Sequence, residues 1–387
     1  MKGAFDMDKD NIRQITQRAI DTRAENGAAV VITKGSEQVY SCAAGLADVE
    51  SNKAFAEDTI CRAFSCSKVV TATAAMQLIE RGRLDLNWEL GWLIPSFSSP
   101  YYIRGGRRIE SPKIKIRDLL NMTSGIPYPG GGNEGIEGMN DLWGRLDKSI
   151  NSGASLTTQQ FAEEAGRAAL MFPAGQEWMY GSSADIMGAV IEKAADMRFG
   201  EYLKKNIFDP LGMEDTAFYV PKQKRDRLAV LYENTEQPPK RPDWVNLCIY
   251  DYDSEPAFES GGAGLFTTAR DLSRLGMELS CGGAGVISRA AVSFMQQNGL
   301  TEAQRQTFNW DSCLGCGYAN LVRMITDQNA AGLFAPVGSF GWDGWTGTYL
   351  LNDPRNEMSV TVFTQRCGAG TTQLARSVVN AAYAAFV

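Results

Sequence analysis

The sequence predicts an α/β protein of the α+β kind. One antiparallel sheet is built from both chain ends and flanked by helices, and a mostly helical lobe is inserted between them. Three observations predict it. Near the start, 28–33 and 38–43 are short apolar runs separated by Lys34-Gly35-Ser36-Glu37, which reads as two strands and a turn. Near the end, 344–351 and 358–363 repeat that arrangement around Asn352-Asp353-Pro354-Arg355-Asn356. Between them, apolar residues recur at helical spacing. Strands at both termini, with helices filling the middle, bring the termini side by side in one sheet. The expected organisation is a single two-lobed unit over 1–387, with a sheet-containing lobe from 1–64 plus 260–387 and a mostly helical lobe from 65–259.

The elements follow in order. Residues 9–25 form an amphipathic helix, with Ile12, Ile15 and Ile20 among charged neighbours. After the first two strands, the Ala-rich run 69–80 is a buried helix ending at Arg81-Gly82. A short helix at 114–122 ends near Gly125, and the glycines of 128–138 make a loop. That loop has no preceding strand and no Lys-Ser or Lys-Thr after it, so it is not a phosphate cradle. Helices are expected at 157–169, 184–195, 202–211, 270–279 and 374–386, with Pro173, Ser183, Pro210 and Gly212 among their start and stop signals.

Composition narrows the function. The 38 basic and 45 acidic residues give a net charge of −7, which argues against nucleic acid and anionic membranes as partners. Arg104-Gly105-Gly106-Arg107-Arg108 and Lys222-Gln223-Lys224-Arg225 read as solvated loops. The first residues carry no apolar secretory segment and no run of 18 apolar residues occurs, so a cytoplasmic location is expected. Eight scattered cysteines fit reduced thiols, and Cys313-Leu314-Gly315-Cys316 reads as a Gly-rich turn rather than a zinc or redox site. There is no histidine. Ser-His-Asp and Cys-His catalysis and histidine metal sites are therefore excluded, and no cofactor or metal is expected.

Against that background Ser65-Cys66-Ser67-Lys68 stands out. Positions i and i+3 share a helix face, so the Ser65 hydroxyl and the Lys68 amine can meet. A serine hydroxyl becomes a nucleophile when a neighbour takes its proton, and a lysine does so when desolvation lowers its pKa. The tetrapeptide alone is explained better by a serine cap followed by a solvated lysine. The rest of the chain decides between them.

From about residue 28 onward the chain resembles the penicillin-binding-protein-like serine hydrolases. These comprise class C β-lactamases, D-Ala-D-Ala carboxypeptidases, D-aminopeptidases and family VIII carboxylesterases, which share a β-lactamase/transpeptidase-like fold. The resemblance is carried, in order, by Phe64-Ser65-Cys66-Ser67-Lys68, Leu84-Asp85-Leu86, Ile116-Arg117-Asp118-Leu119-Leu120 with Thr123-Ser124-Gly125, and Phe172-Pro173-Ala174-Gly175. Tyr180-Gly181-Ser182, Ile207-Phe208-Asp209-Pro210-Leu211-Gly212-Met213, Gly261-Gly262-Ala263-Gly264-Leu265 and Trp342-Asp343-Gly344 complete it.

The resemblance implies Ser65 as nucleophile, Lys68 and Tyr180 as the general-base pair, and Ser182 as a residue that orients Lys68 and contacts substrate. The backbone N–H groups of Ser65 and Trp345 would form the oxyanion hole. Two departures matter. The third motif, usually Lys-Thr-Gly or His-x-Gly, is Trp342-Asp343-Gly344, and Met122 stands where histidine is common.

Trp342 at the first place resembles the family VIII esterases. The expected function is a carboxylesterase acting on small neutral esters or amides, with Trp342, Trp345 and Trp178 offering apolar surface and Asp343 able to repel anions. A class C-like β-lactamase or D-amino-acid peptidase, and a non-turnover β-lactam-binding or sensor protein, are the alternatives. The partner in each case is a small-molecule ester, amide or β-lactam.

Overall fold

Strand Gly27–Lys34 lies inside an eight-stranded antiparallel sheet and joins the two ends of the chain. On one side it pairs with Glu37–Asp48, which leads to the short edge strand Lys53–Ala54. On the other it pairs with Met358–Phe363, with Val31 opposite Thr361 and Ile32 opposite Val360. Tyr349–Asp353, Phe340–Asp343, Val322–Ile325 and Cys316–Ala319 continue the sheet outward. The computed structural model describes residues 6–131, 134–282 and 285–387. The fold is the β-lactamase/transpeptidase-like α+β fold.

Both faces of the sheet are covered, which is why its central strands read as unbroken apolar runs rather than alternating ones. Val30, Ile32, Val360 and Val362 pack with Ile12, Val378 and Val379 of the terminal helices Asp6–Asp21 and Gln373–Phe386. Ala29 and Val31 face the opposite way, into the main core. Full burial of each valine or isoleucine contributes about 1.5–3 kcal/mol.

Helix Ser67–Glu80 is enclosed on all sides and has twelve buried residues, from Ser67 to Leu78. It packs against Ser183–Ala195, and the inserted helices Ile116–Leu120, Glu137–Asn151 and Thr158–Ala165 complete that layer. Among the described residues no helix is long and apolar enough to cross a membrane.

One local expectation is corrected. The run 344–351 is not one strand: the chain turns between Phe340–Asp343 and Tyr349–Asp353, with Gly347 at φ +83°. Thr346 and Thr348 donate their hydroxyls to the carbonyls of Arg62 and Ala63, which holds the turn against the segment leading to Ser65. Leu314 and Gly315 form the expected Gly-rich turn, with Gly315 at φ +71°, and Cys316 opens a hairpin, Cys316–Ala319 with Val322–Ile325. Its turn uses Asn320 and Leu321 at positive φ, without the glycine that marks such turns in sequence. The glycine loop 128–138 includes Gly132 and Asn133, which lie outside the described residues.

Candidate active site

Ser65 sits in a 3-10 turn, Phe64–Cys66, that runs directly into helix Ser67–Glu80. The preceding Phe64 has φ +42°, a conformation that costs an aromatic residue on the order of 1–3 kcal/mol. Packing of Phe64 among Ile60, Val220, Phe266 and Trp345 holds it there. Ser65 is nearly buried, at 8% exposure, and Lys68 is fully buried.

Lys68 Nζ lies 3.2 Å from Ser65 Oγ. It also bonds the Tyr128 hydroxyl at 3.1 Å and donates to the Gly262 carbonyl at 2.8 Å. Burial pushes the Lys68 amine down from its ordinary 10.5 to about 7, and the charges of Asp185, Asp343 and Cys66 resist that shift. A neutral amine at this distance can take the serine proton. The Cys66 thiol beside it is pushed up by burial to about 12 and does not compete as a nucleophile at neutral pH.

Tyr180 covers the amine, its ring centroid 4.4 Å from Lys68 Nζ. Burial raises its pKa, while hydrogen bonds with Ser65 and Trp342 pull it back. Trp342 Nε1–H donates to the Tyr180 oxygen at 3.0 Å, and the two rings stack with centroids 5.6 Å apart. The structure thus brings Ser65, Lys68 and Tyr180 together.

The other expected residues divide. Ser182 does not orient Lys68: its hydroxyl donates to the Pro127 carbonyl at 2.8 Å and accepts from Trp143 Nε1 at 3.3 Å. It fixes the loop that carries Tyr128, because Pro127 also bridges to Gly181. Trp342 and Trp178 offer no surface to a ligand, being 2% and 3% exposed. Trp342 instead buttresses Tyr180 from behind.

Asp343 does not confront the cleft as a bare charge. It forms a 2.9 Å ion pair with buried Arg323 and accepts from Thr371 at 2.9 Å. Gly344 is required by close approach, since a Cβ there would meet the Ala63 carbonyl oxygen at 2.3 Å. That approach sets the backbone of Trp345 beside the Ser65 turn, and the Trp345 ring packs on Phe64 with centroids 5.1 Å apart.

Sequence reasoning missed four participants. Tyr128 lies in what read only as a glycine loop, and no pattern marks it. Asp185 left a signal: it is a lone acid in the apolar run Ala184-Asp185-Ile186-Met187-Gly188-Ala189-Val190-Ile191. It is 1% exposed, and Ser260 Oγ and the Gly262 N–H donate to its Oδ1 at 2.5 and 3.1 Å. Burial raises its pKa, whereas the Lys68 charge and these bonds lower it. Trp310 and Trp244 are the exposed tryptophans here, at 41% and 45%. Trp310 stands on Tyr180 and Trp244 on Trp345, with centroids 5.1 and 5.4 Å apart.

A cavity of about 570 Å³ opens beside Trp345, lined among others by Phe64, Trp244 and Ile249. A second cavity of about 570 Å³ lies at Phe208, Met213 and Phe218, and none of Ser65, Lys68, Tyr128 or Tyr180 lines it. Among the described residues, no group of three or more Cys, Asp or Glu side chains could hold a metal ion.

Fold and site together define a hydrolase of the β-lactamase type. The chain matches the Beta-lactamase family over residues 12–383 and belongs to it. It is 28% identical to Esterase EstB of Burkholderia gladioli over 375 residues, which cover 92% of this chain and 90% of that one. It is likewise 28% identical to the Lovastatin esterase of Penicillium rubens over 384 residues, covering 92% and 91%. Among solved structures, EstCE1, a hydrolase with promiscuous acyltransferase activity, superposes with a TM-score of 0.80. The identity is 26%, over 98% of this chain and 99% of that one. A penicillin-binding protein homolog from Caulobacter crescentus shares the fold at a TM-score of 0.69 and 20% identity, covering 98% and 97%.

Proposed function

We propose that this protein is a carboxylesterase that forms an acyl-enzyme on Ser65, with Lys68 and Tyr180 as the general-base pair. The observation that carries this reading is the buried Lys68 amine, held near neutrality and 3.2 Å from Ser65 Oγ. Ser65 attacks the ester carbonyl as its proton passes to Lys68. The backbone N–H groups of Ser65 and Trp345 receive the developing oxyanion. The leaving alkoxide takes a proton from the Lys68–Tyr180 pair, and water then repeats the sequence to release the acid. The chain acts as one two-lobed unit, because Lys68 and Tyr180 belong to the helical part and Trp345 to the sheet part.

Small neutral esters are the proposed substrates. Among the described residues no free cation stands at the third motif to attract a carboxylate: Trp342 is buried, and Arg323 behind it is paired with Asp343. Exposed Trp310 and Trp244 flank the site with apolar surface suited to uncharged groups. The relatives named as esterases support the same reading.

The test compares kcat/KM for p-nitrophenyl butyrate with that for nitrocefin. Loss of a charge-assisted bond worth about 1.5–3 kcal/mol should disfavour the anionic β-lactam by roughly ten- to a hundredfold. Efficient nitrocefin hydrolysis with negligible esterase activity would restore the β-lactamase alternative. Acylation by nitrocefin without turnover of either compound would restore the receptor alternative.

A further inference from the structure

We propose that Asp185 and Tyr128 are positioning residues that aim the lone pair of Lys68 at Ser65. The proposal rests on the acyl-enzyme reading above. It follows from counting donors and acceptors. The Asp185 Oδ1 atom already accepts from Ser260 and Gly262. Its Oδ2 is buried with no donor in hydrogen-bond geometry among the described residues, and the neighbouring Tyr128 hydroxyl is the group placed to supply one.

The Ser260 hydroxyl and the Gly262 N–H favour the ionised form of Asp185 against the upward pull of its burial, and a carboxylate can only accept. Tyr128 therefore donates its one proton to Asp185, and its oxygen is left to accept from Lys68 Nζ at 3.1 Å. The Gly262 carbonyl, at 2.8 Å, also only accepts.

A neutral lysine amine has two N–H bonds and one lone pair. Tyr128 and Gly262 take both N–H bonds, so the lone pair is left facing Ser65 Oγ, 3.2 Å away; toward the neutral amine the serine O–H is then the donor. In the reaction that proton moves to Lys68 Nζ as the Ser65 oxygen bonds the carbonyl carbon. The carbonyl π pair shifts to oxygen, and collapse then breaks the bond to the leaving alkoxide, which takes up the proton. Asp185 touches none of the reacting atoms. Its part resembles that of the carboxylate in a serine triad, which fixes the tautomer of the base.

Asp185→Asn tests this. The amide NH2 can donate to Tyr128, whose O–H then turns toward Lys68 and claims the lone pair. Phosphonylation of Ser65 by a fluorophosphonate, followed by intact mass, and kcat for p-nitrophenyl butyrate should each fall by about a hundredfold or more. KM should stay within about threefold. Tyr128→Phe should lower both rates as well, and the double variant should be no slower than Asp185→Asn alone, since both break one chain.

Asp185→Asn that labels within about threefold of wild type overturns the proposal, as do losses that multiply in the double variant. If Asp185→Asn does not fold, Tyr128→Phe alone decides, and a near-wild-type rate overturns the proposal. Absence of labelling in the wild type would instead reject the acyl-enzyme reading.

Discussion

Burial of Lys68 has a consequence for stability that can be measured without any substrate. The fold lowers its amine from 10.5 to about 7, so between these values the unfolded chain binds a proton that the folded chain does not. Stability then rises with pH across that window, fastest where the unfolded lysine is charged and the folded one neutral.

For a single group with these two values, the penalty is on the order of 4 kcal/mol at pH 7 and on the order of 1 kcal/mol at pH 9.5. The difference, about 3 kcal/mol, is the quantity to measure. Lys68→Met removes the titration but also the bonds to Tyr128 and Gly262, so its stability at one pH is not informative. The informative quantity is the unfolding free energy of wild type minus that of Lys68→Met, from urea titrations at pH 7, 8, 9 and 9.5. Titrations of groups that do not interact with Lys68 cancel in that subtraction. It should rise by about 3 kcal/mol over the range. A flat difference would mean that Lys68 keeps its proton in the fold, and its assignment as a base would lose its foundation.

Three further outcomes are expected. Trp342→Phe keeps the stacking but removes the N–H donor to Tyr180, so kcat on p-nitrophenyl esters should fall by roughly ten- to a hundredfold with the fold intact by circular dichroism; an unchanged kcat would remove Trp342 from the site. Ser67→Ala should leave turnover near wild type while lowering stability by about 1–3 kcal/mol in urea, because the Ser67 oxygen accepts from the buried Leu265 N–H at 3.1 Å; loss of turnover in a folded variant would contradict this. Trp310→Ala and Trp244→Ala, which strip exposed surface next to Tyr180 and Trp345, should each raise KM for long-chain esters more than for p-nitrophenyl acetate, and equal effects on both would show that the rings do not touch substrate.

What could be read in the sequence was what local chemistry dictates. The pairing of the chain ends followed from apolar strands at both termini, and the contact of Ser65 with Lys68 followed from one helical turn. Groups brought together across the fold were not legible. Tyr128 reaches Lys68 from 60 residues away, placed there by the bridge of Pro127 to Gly181 and the bond of Ser182 to Pro127. Arg323 neutralises Asp343 from the neighbourhood of a hairpin with no glycine in its turn, so neither the strand nor the ion pair had a local signature. Ser182 shows the opposite hazard, a motif position whose hydroxyl the surrounding loop has drawn elsewhere.

The central claim is that an acyl group passes through Ser65. Rapid quenching of the enzyme during turnover of p-nitrophenyl butyrate, followed by peptide mass spectrometry, tests it most directly. The account predicts a butyryl group on the peptide bearing Ser65, at the serine and not at Cys66, with neither adduct nor turnover in Ser65→Ala. Continued turnover by Ser65→Ala, or an acyl group carried on another residue, would contradict it.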